Sequence, residues 1–183
     1  MASAALAHRG RLAGALLMLL GAWGALVPFV GPYFGYAYTP DKVWIWTSGR
    51  LWLSVVPGAA VFLGGLLVAA SDRAAAPGAF LAALGGVWFV IGQPVIAFAL
   101  PAAPISPWVP APVHNAVFGV AAMRFLEALG FFSGLGVVIL FFAALALGEV
   151  IVARMAARRF SARLAEAYER GDQYPTEQYR PVY

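Results

Sequence analysis

The chain has 183 residues, of which 62% are hydrophobic and only 11% charged, and its mean hydropathy is +0.81. A soluble domain is about half apolar and a quarter charged, so lipid must solvate much of this chain, and a nucleic-acid-binding, disordered or soluble secreted protein is excluded. The net charge of +4 is then read as a membrane-orientation signal, and the absence of cysteine removes disulfides, thiolate metal sites and thiol chemistry.

A hydrocarbon core of ~30 Å takes ~20 apolar residues of helix. The first such segment runs from Leu12 to Val30, carries no charge and follows Arg9 and Arg11. The string Pro28-Phe29-Val30-Gly31-Pro32 after it has no small-x-small cleavage site, so the segment reads as a retained anchor rather than a signal peptide.

The connection from Gly31 to Arg50 holds Tyr33, Tyr36 and Tyr38 with Trp44 and Trp46, and Trp52 follows. Such rings sit at headgroup depth with their polar atoms in water. A sharper reading makes them a recognition platform, since Val43-Trp44-Ile45-Trp46-Thr47 alternates like a short strand able to pair with a partner's edge. Asp41 beside Lys42, after Pro40, reads as a solvated turn pair.

The second segment, Leu51 to Ala70, is uncharged. Ser71 or Asp72 ends it and Pro77 starts the third, Ala79 to Leu100, so the two form an antiparallel hairpin. The third holds one strongly polar side chain, Gln93, between Gly92 and Pro94. Pro57 and Pro94 lie equally far from the outer ends of their segments, which predicts bends at one depth, with Pro28 as a third break.

The next connection has prolines at 101, 104, 107, 110 and 112, with the first four on one face of a polyproline II helix. Trp108 sits in this stiff loop, and residues 113–126 read as a short interfacial helix with Asn115 at its cap after His114. The fourth segment runs from about Ala128 to Ala153 and meets Glu149 near its end, where it reads as an interface group. Beyond it, Arg154, Arg158, Arg159 and Arg163 alternate with Met155, Phe160 and Leu164. They extend the helix into the cytoplasm or lay it along anionic headgroups.

Counting Lys and Arg by side gives nine for the two termini plus Arg73, against three (Lys42, Arg50, Arg124) for the two longer loops. Both termini are therefore expected to be cytoplasmic, with loops 31–50 and 101–127 facing outward.

Polar groups near the bilayer are costly and point to function by default. Gln93, Ser54, Arg50, Arg124 and Glu127, with Trp46, Trp52 and Trp88 as apolar walls, are candidates for an outward-facing vestibule between kinked helices. The alternatives are structural: Gln93 bonding a neighbouring helix, and Arg124 with Glu127 as a local pair. Tyr33, Tyr36, Tyr38, Trp44, Trp46 and Trp108 are the candidate outer-loop interaction residues. Gly10-xxx-Gly14, Gly130-xxx-Gly134, Gly64-Gly65 and Gly85-Gly86 permit close helix approach, with packing inside the bundle as the default use.

The string Trp46-Thr47-Ser48-Gly49-Arg50-Leu51-Trp52 resembles the Trp…Gly-Leu-Trp first-loop signature of the claudin family over that stretch alone. Arg50 interrupts the triplet and the family's loop disulfide is impossible without cysteine. The resemblance implies four-span topology with interfacial tryptophans and carries no function across.

The expectation is an all-α integral membrane protein, a four-transmembrane-helix up-down bundle over residues 1–170 with a polar tail, 171–183. High Ala, Gly and Arg with a single Lys point to a GC-rich bacterial genome and so to the bacterial inner membrane. No nucleophile–base pair, acidic cluster, haem-ligand pair or phosphate loop is present, so the expected role is non-enzymatic and without a cofactor. The chain reads as an accessory or scaffold subunit binding another membrane component or a second copy. The alternative is a small-molecule or lipid binder, or a transporter element, using the vestibule.

Overall fold

In the computed structural model residues 2–34, 43–99, 129–131 and 133–169 are described. Helix α1 spans Ala2–Val30 and ends in a 3-10 turn, Gly31–Phe34. Helix α2 spans Ser48–Ala70, α3 spans Ala75–Ala99, and α4 runs unbroken over Ser133–Glu169. Below, the end of the bundle that carries residues 31–34 and 43–47 is termed outer, and the end with the 71–74 turn inner.

All four helices are long and apolar enough to cross a membrane. Large apolar side chains face outward along each, including Leu19, Leu63, Phe80 and Phe141. In water that surface would be untenable; against lipid tails it costs nothing, and packing alone must hold the helices together.

Glycine supplies that packing. α1 lies against α2, α2 against α3, α3 against α4, and α4 returns to α1. A Cβ placed at Gly14 would stand 2.7 Å from the carbonyl oxygen of Gly65, and one at Gly65 would stand 2.6 Å from that of Gly14. Gly21 and Gly58 repeat this reciprocal fit two turns further out, at 2.7 and 2.8 Å. Between α2 and α3, Gly64 faces Gly78 and Gly85 faces Pro57; between α3 and α4, Gly86 faces Gly136. The order of these contacts runs α1 against α2, and α2 against α3, in opposite directions.

The two double glycines divide their work. Gly65 meets α1 while Gly64 meets α3, and Gly85 meets α2 while Gly86 meets α4. Consecutive helical residues are separated by about 100°, so one glycine pair serves two neighbours set nearly at right angles. Gly10-xxx-Gly14 is divided in the same way, with Gly10 on the Glu149 side chain and Gly14 on α2. Gly130-xxx-Gly134 has a different use: Gly134 packs on the backbone of Leu129 across the turn at Phe131.

The core follows the same gradient. Its inner cluster is small, with Ala13, Val68, Ala79 and Ala146. Further out Leu17, Val61, Phe89, Leu135 and Ile139 fill a wider space. Phe89 enters a notch at Gly24, where any Cβ would collide with its ring, and meets Phe131 edge-on at 6.0 Å.

Three expectations need correction. Residues 43–47 form a turn and an irregular segment rather than a strand, because their backbone is tied to its own chain, as described below. Pro57 and Pro94 do not bend their helices at one depth. The tight inner turn and the Gly64–Gly78 contact set the register, which puts Pro57 beside Gly85 and Pro94 about 13 Å further out. Helix α3 begins at Ala75 rather than at Pro77, because a proline in the first turn lacks only an N–H that would be unpaired anyway. The fourth apolar run gives a helix that starts at Ser133 and passes Ala153 without interruption.

Candidate functional site

The candidate residues that are described gather at the outer end in two groups. The first is built on Phe29, buried at the end of α1. Trp44 stacks on it at 6.0 Å and Trp46 tilts against it at 5.1 Å. The Arg50 guanidinium carbon lies 5.5 Å from the same ring.

Arg50 is only 5% exposed, and a charge at that depth demands partners. It donates from Nη1 to the Ile45 carbonyl at 2.9 Å and rests on the π face of Phe29. Its backbone N–H donates to Thr47 Oγ1 at 3.1 Å, which makes Thr47 the N-cap of α2. These bonds fold the segment back on itself, and the carbonyl of Ile45 is turned inward rather than toward a ladder. Trp44 takes a φ of 54°, the left-handed region that a bulky residue rarely enters. The outcome is a pair of indoles held on Phe29, 58% and 67% exposed for Trp44 and Trp46. Tyr33 is likewise exposed, on the 3-10 turn.

The second group lies where α2 starts. Leu51–Val55 form a π turn, in which the Val56 N–H bonds the Leu51 carbonyl instead of that of Trp52. The next donor in that register would be residue 57, a proline without an N–H. The Trp52 carbonyl is thus left with no donor from its own helix. Trp88 on α3 supplies one, with its indole Nε1 donating at 2.9 Å. Gly92 makes room for this, since a Cβ there would stand 2.9 Å from that same nitrogen. Trp23 on α1 acts similarly, donating to the Gly130 carbonyl at 2.9 Å beside the turn that precedes α4.

Of the vestibule candidates, Arg50 and Ser54 are buried, Trp46 joins Arg50 on Phe29, and Trp88 is joined to Trp52. Gln93, next to Gly92, holds its Nε2 away from solvent with no hydrogen-bond acceptor among the described residues. Glu149 Oε2, against Gly10 at the inner end, is also held from solvent, with no donor among the described residues. Arg124, Glu127, Tyr36, Tyr38 and Trp108 lie outside the described residues, as do the proline loop, the 113–126 helix and the 171–183 tail.

Phe29 and Trp23 were missed by sequence reasoning. Phe29 sits between Pro28 and Gly31 and reads as one more apolar residue of the span, and Trp23 is mid-segment. The one usable signal was Pro57: a proline orphans a carbonyl, and a nearby tryptophan is a donor with no acceptor role.

The fold and this site define an all-helical protein with four candidate membrane-crossing helices and an aromatic outer end. No protein-family model matches the chain, and no match is found among curated proteins or solved structures.

Proposed function

We propose that the protein is a non-enzymatic accessory or scaffold subunit of the bacterial inner membrane, which binds another membrane component through its outer aromatic segment and lipid-facing helix faces. The observation that carries this reading is Trp44. A bulky residue held at positive φ costs about 1–3 kcal/mol and persists only where its surroundings enforce it. Here the surroundings are Phe29 and the inward-turned Ile45 carbonyl, and the result is two exposed, oriented indoles. Exposed tryptophans held rigid lose little entropy on binding, which suits a recognition surface.

The proposed arrangement is an up-down bundle with both termini cytoplasmic. It is supported by the antiparallel neighbours and by the excess of arginine at the inner end. A cysteine introduced as Ala111→Cys should react with an impermeant reagent from outside and one introduced as Ala167→Cys should not; the reverse labelling overturns the orientation. For the binding role, Trp46→Ala should abolish co-purification of the partner from gently solubilised membranes, while undiminished recovery rejects the platform.

A second reading, a lipid or small-molecule binder using the outer end, is favoured by Gln93 Nε2, which has no acceptor among the described residues. Gln93→Leu should then reduce the retained adduct seen by native mass spectrometry without lowering expression. Unchanged retention leaves Gln93 as a packing residue.

A further inference from the structure

The buried face of α4 has a heptad rhythm that outlasts the bundle. Gly136, Ile139, Ala143 and Ala146 are buried, stepping by alternating threes and fours. The same steps from Val150 lead to Ala153, Ala157, Phe160, Leu164 and Ala167 without one polar residue. Inside the bundle α1 and α3 cover this seam. From Ala153 to Leu164 its side chains are exposed, with Phe160 64% and Leu164 56% exposed.

Arginines line both sides of the bare seam. Arg154 and Arg163 stand directly beside it at the positions that pair across a coiled coil, and Arg158 and Arg159 stand one step further round. No acidic residue occurs between Glu149 and Glu166. The surface is therefore an apolar stripe in a positive frame.

Three occupants could cover it, and geometry separates them. A heptad seam drifts about 20° per heptad in a straight helix, so over this length it still faces across the inner end of its own bundle. A second copy's α4 cannot stand there, because its membrane half would occupy the space already filled by α1 to α3. With α4 unbroken to Glu169, Phe160 and Leu164 stand about 16 and 22 Å past Glu149, so a straight α4 carries this part of the stripe away from a bilayer rather than along it. We infer that the α4 extension is the docking groove for an acidic amphipathic helix of an extramembrane partner, whose apolar stripe packs on Phe160 and Leu164 and whose Asp and Glu residues face the flanking arginines. This surface lies at the opposite end from the indole platform, so either reading can fail without the other.

The test uses the full chain in phosphatidylcholine nanodiscs and two labelled helical peptides with Leu at heptad positions, one flanked by Glu and one by Lys. The Glu peptide should bind at least about tenfold more tightly, and Phe160→Ser with Leu164→Ser should weaken it by about tenfold or more. Arg159→Gln with Arg163→Gln should weaken it less and flatten its salt dependence. Met155→Ser and Ala162→Ser, on the opposite face, should leave binding unchanged. All these positions are exposed beyond the bundle, and unaltered helix content checks that each variant folds. Equal binding of the two peptides, or indifference to the Phe160 and Leu164 changes, overturns the inference. So does loss of peptide binding when phosphatidylglycerol is added at constant ionic strength, which assigns the groove to lipid. A doubled mass that Phe160→Ser abolishes assigns it to a second copy and overturns it equally.

Discussion

Toward the inner end Gly14 lies on Gly65 and Gly64 on Gly78 at backbone-to-backbone range, whereas toward the outer end helices are joined through indoles, Trp88 to the Trp52 carbonyl and Trp23 to that of Gly130. The difference follows from how regular the helices are. The Gly64–Gly78 and Gly14–Gly65 stretches lie where no π turn or mid-helix proline leaves a carbonyl without its donor, so the helices need only fit. Outward, the π turn with Pro57, and the turn before α4, leave carbonyls that lipid cannot satisfy. Tryptophan answers that need because its one polar group is a donor and its body is apolar. Close fit continues outward as far as Gly21 with Gly58 and Gly85 with Pro57, and donated hydrogen bonds are added where a helix is interrupted.

Five substitutions would break or sharpen this contrast. The largest loss is expected from Gly64→Leu, which drives a branched side chain into the Gly78 carbonyl, 2.5 Å from the ideal Cβ. A backbone atom cannot swing aside, so folded protein should not be recovered from detergent extracts; monodisperse protein in normal yield would refute the close-fit account. Next is Phe89→Ala, at the boundary between the two regimes. Emptying the Gly24 notch of a ring that is 1% exposed should cost about 3–5 kcal/mol in reversible unfolding, if the site does not collapse.

Trp88→Phe keeps the ring and removes only the donor to Trp52. A loss of about 0.6–1 kcal/mol is expected. Gly92→Ala should reproduce it by pushing the indole away, and additivity of the two in a double variant would show that they act separately. The smallest effect belongs to Gly148, with nothing within 4 Å of an added Cβ. Gly148→Ala should be neutral or stabilising by up to about 1 kcal/mol, since it touches neither device. A marked loss there would mean that α4 has a neighbour beyond those seen in one chain.

The candidate site was less legible than the spans. Arg50 stands out in the sequence as a polar group near the membrane, and in the structure it is a buried charge at the outer end. Its partners, the Phe29 face and the Ile45 carbonyl, are a ring and a backbone atom that look ordinary in any sequence. The alternation of Val43 to Thr47 did record an alternation in exposure, Trp44 and Trp46 outward and the rest half-buried. It was assigned to the wrong element because period-2 patterning reports which side chains are covered and says nothing about where the carbonyls bond. Pro57 and Pro94 were placed by counting from segment ends, and helix pairs take their register from their tightest contact instead.

What the sequence determined by itself is the part that solvent decides. Four runs of apolar residues must be helices because lipid offers the backbone no partner, and doubled glycines must lie where helices approach. What only the tertiary structure decided is the part set by register: which neighbour each glycine meets, how far Pro94 stands beyond Pro57, which indole reaches the Trp52 carbonyl, and where the seam of α4 runs out of company. Solvent acts on each segment separately, so its demands can be read along the chain. Register depends on two segments at once and exists only when they pack.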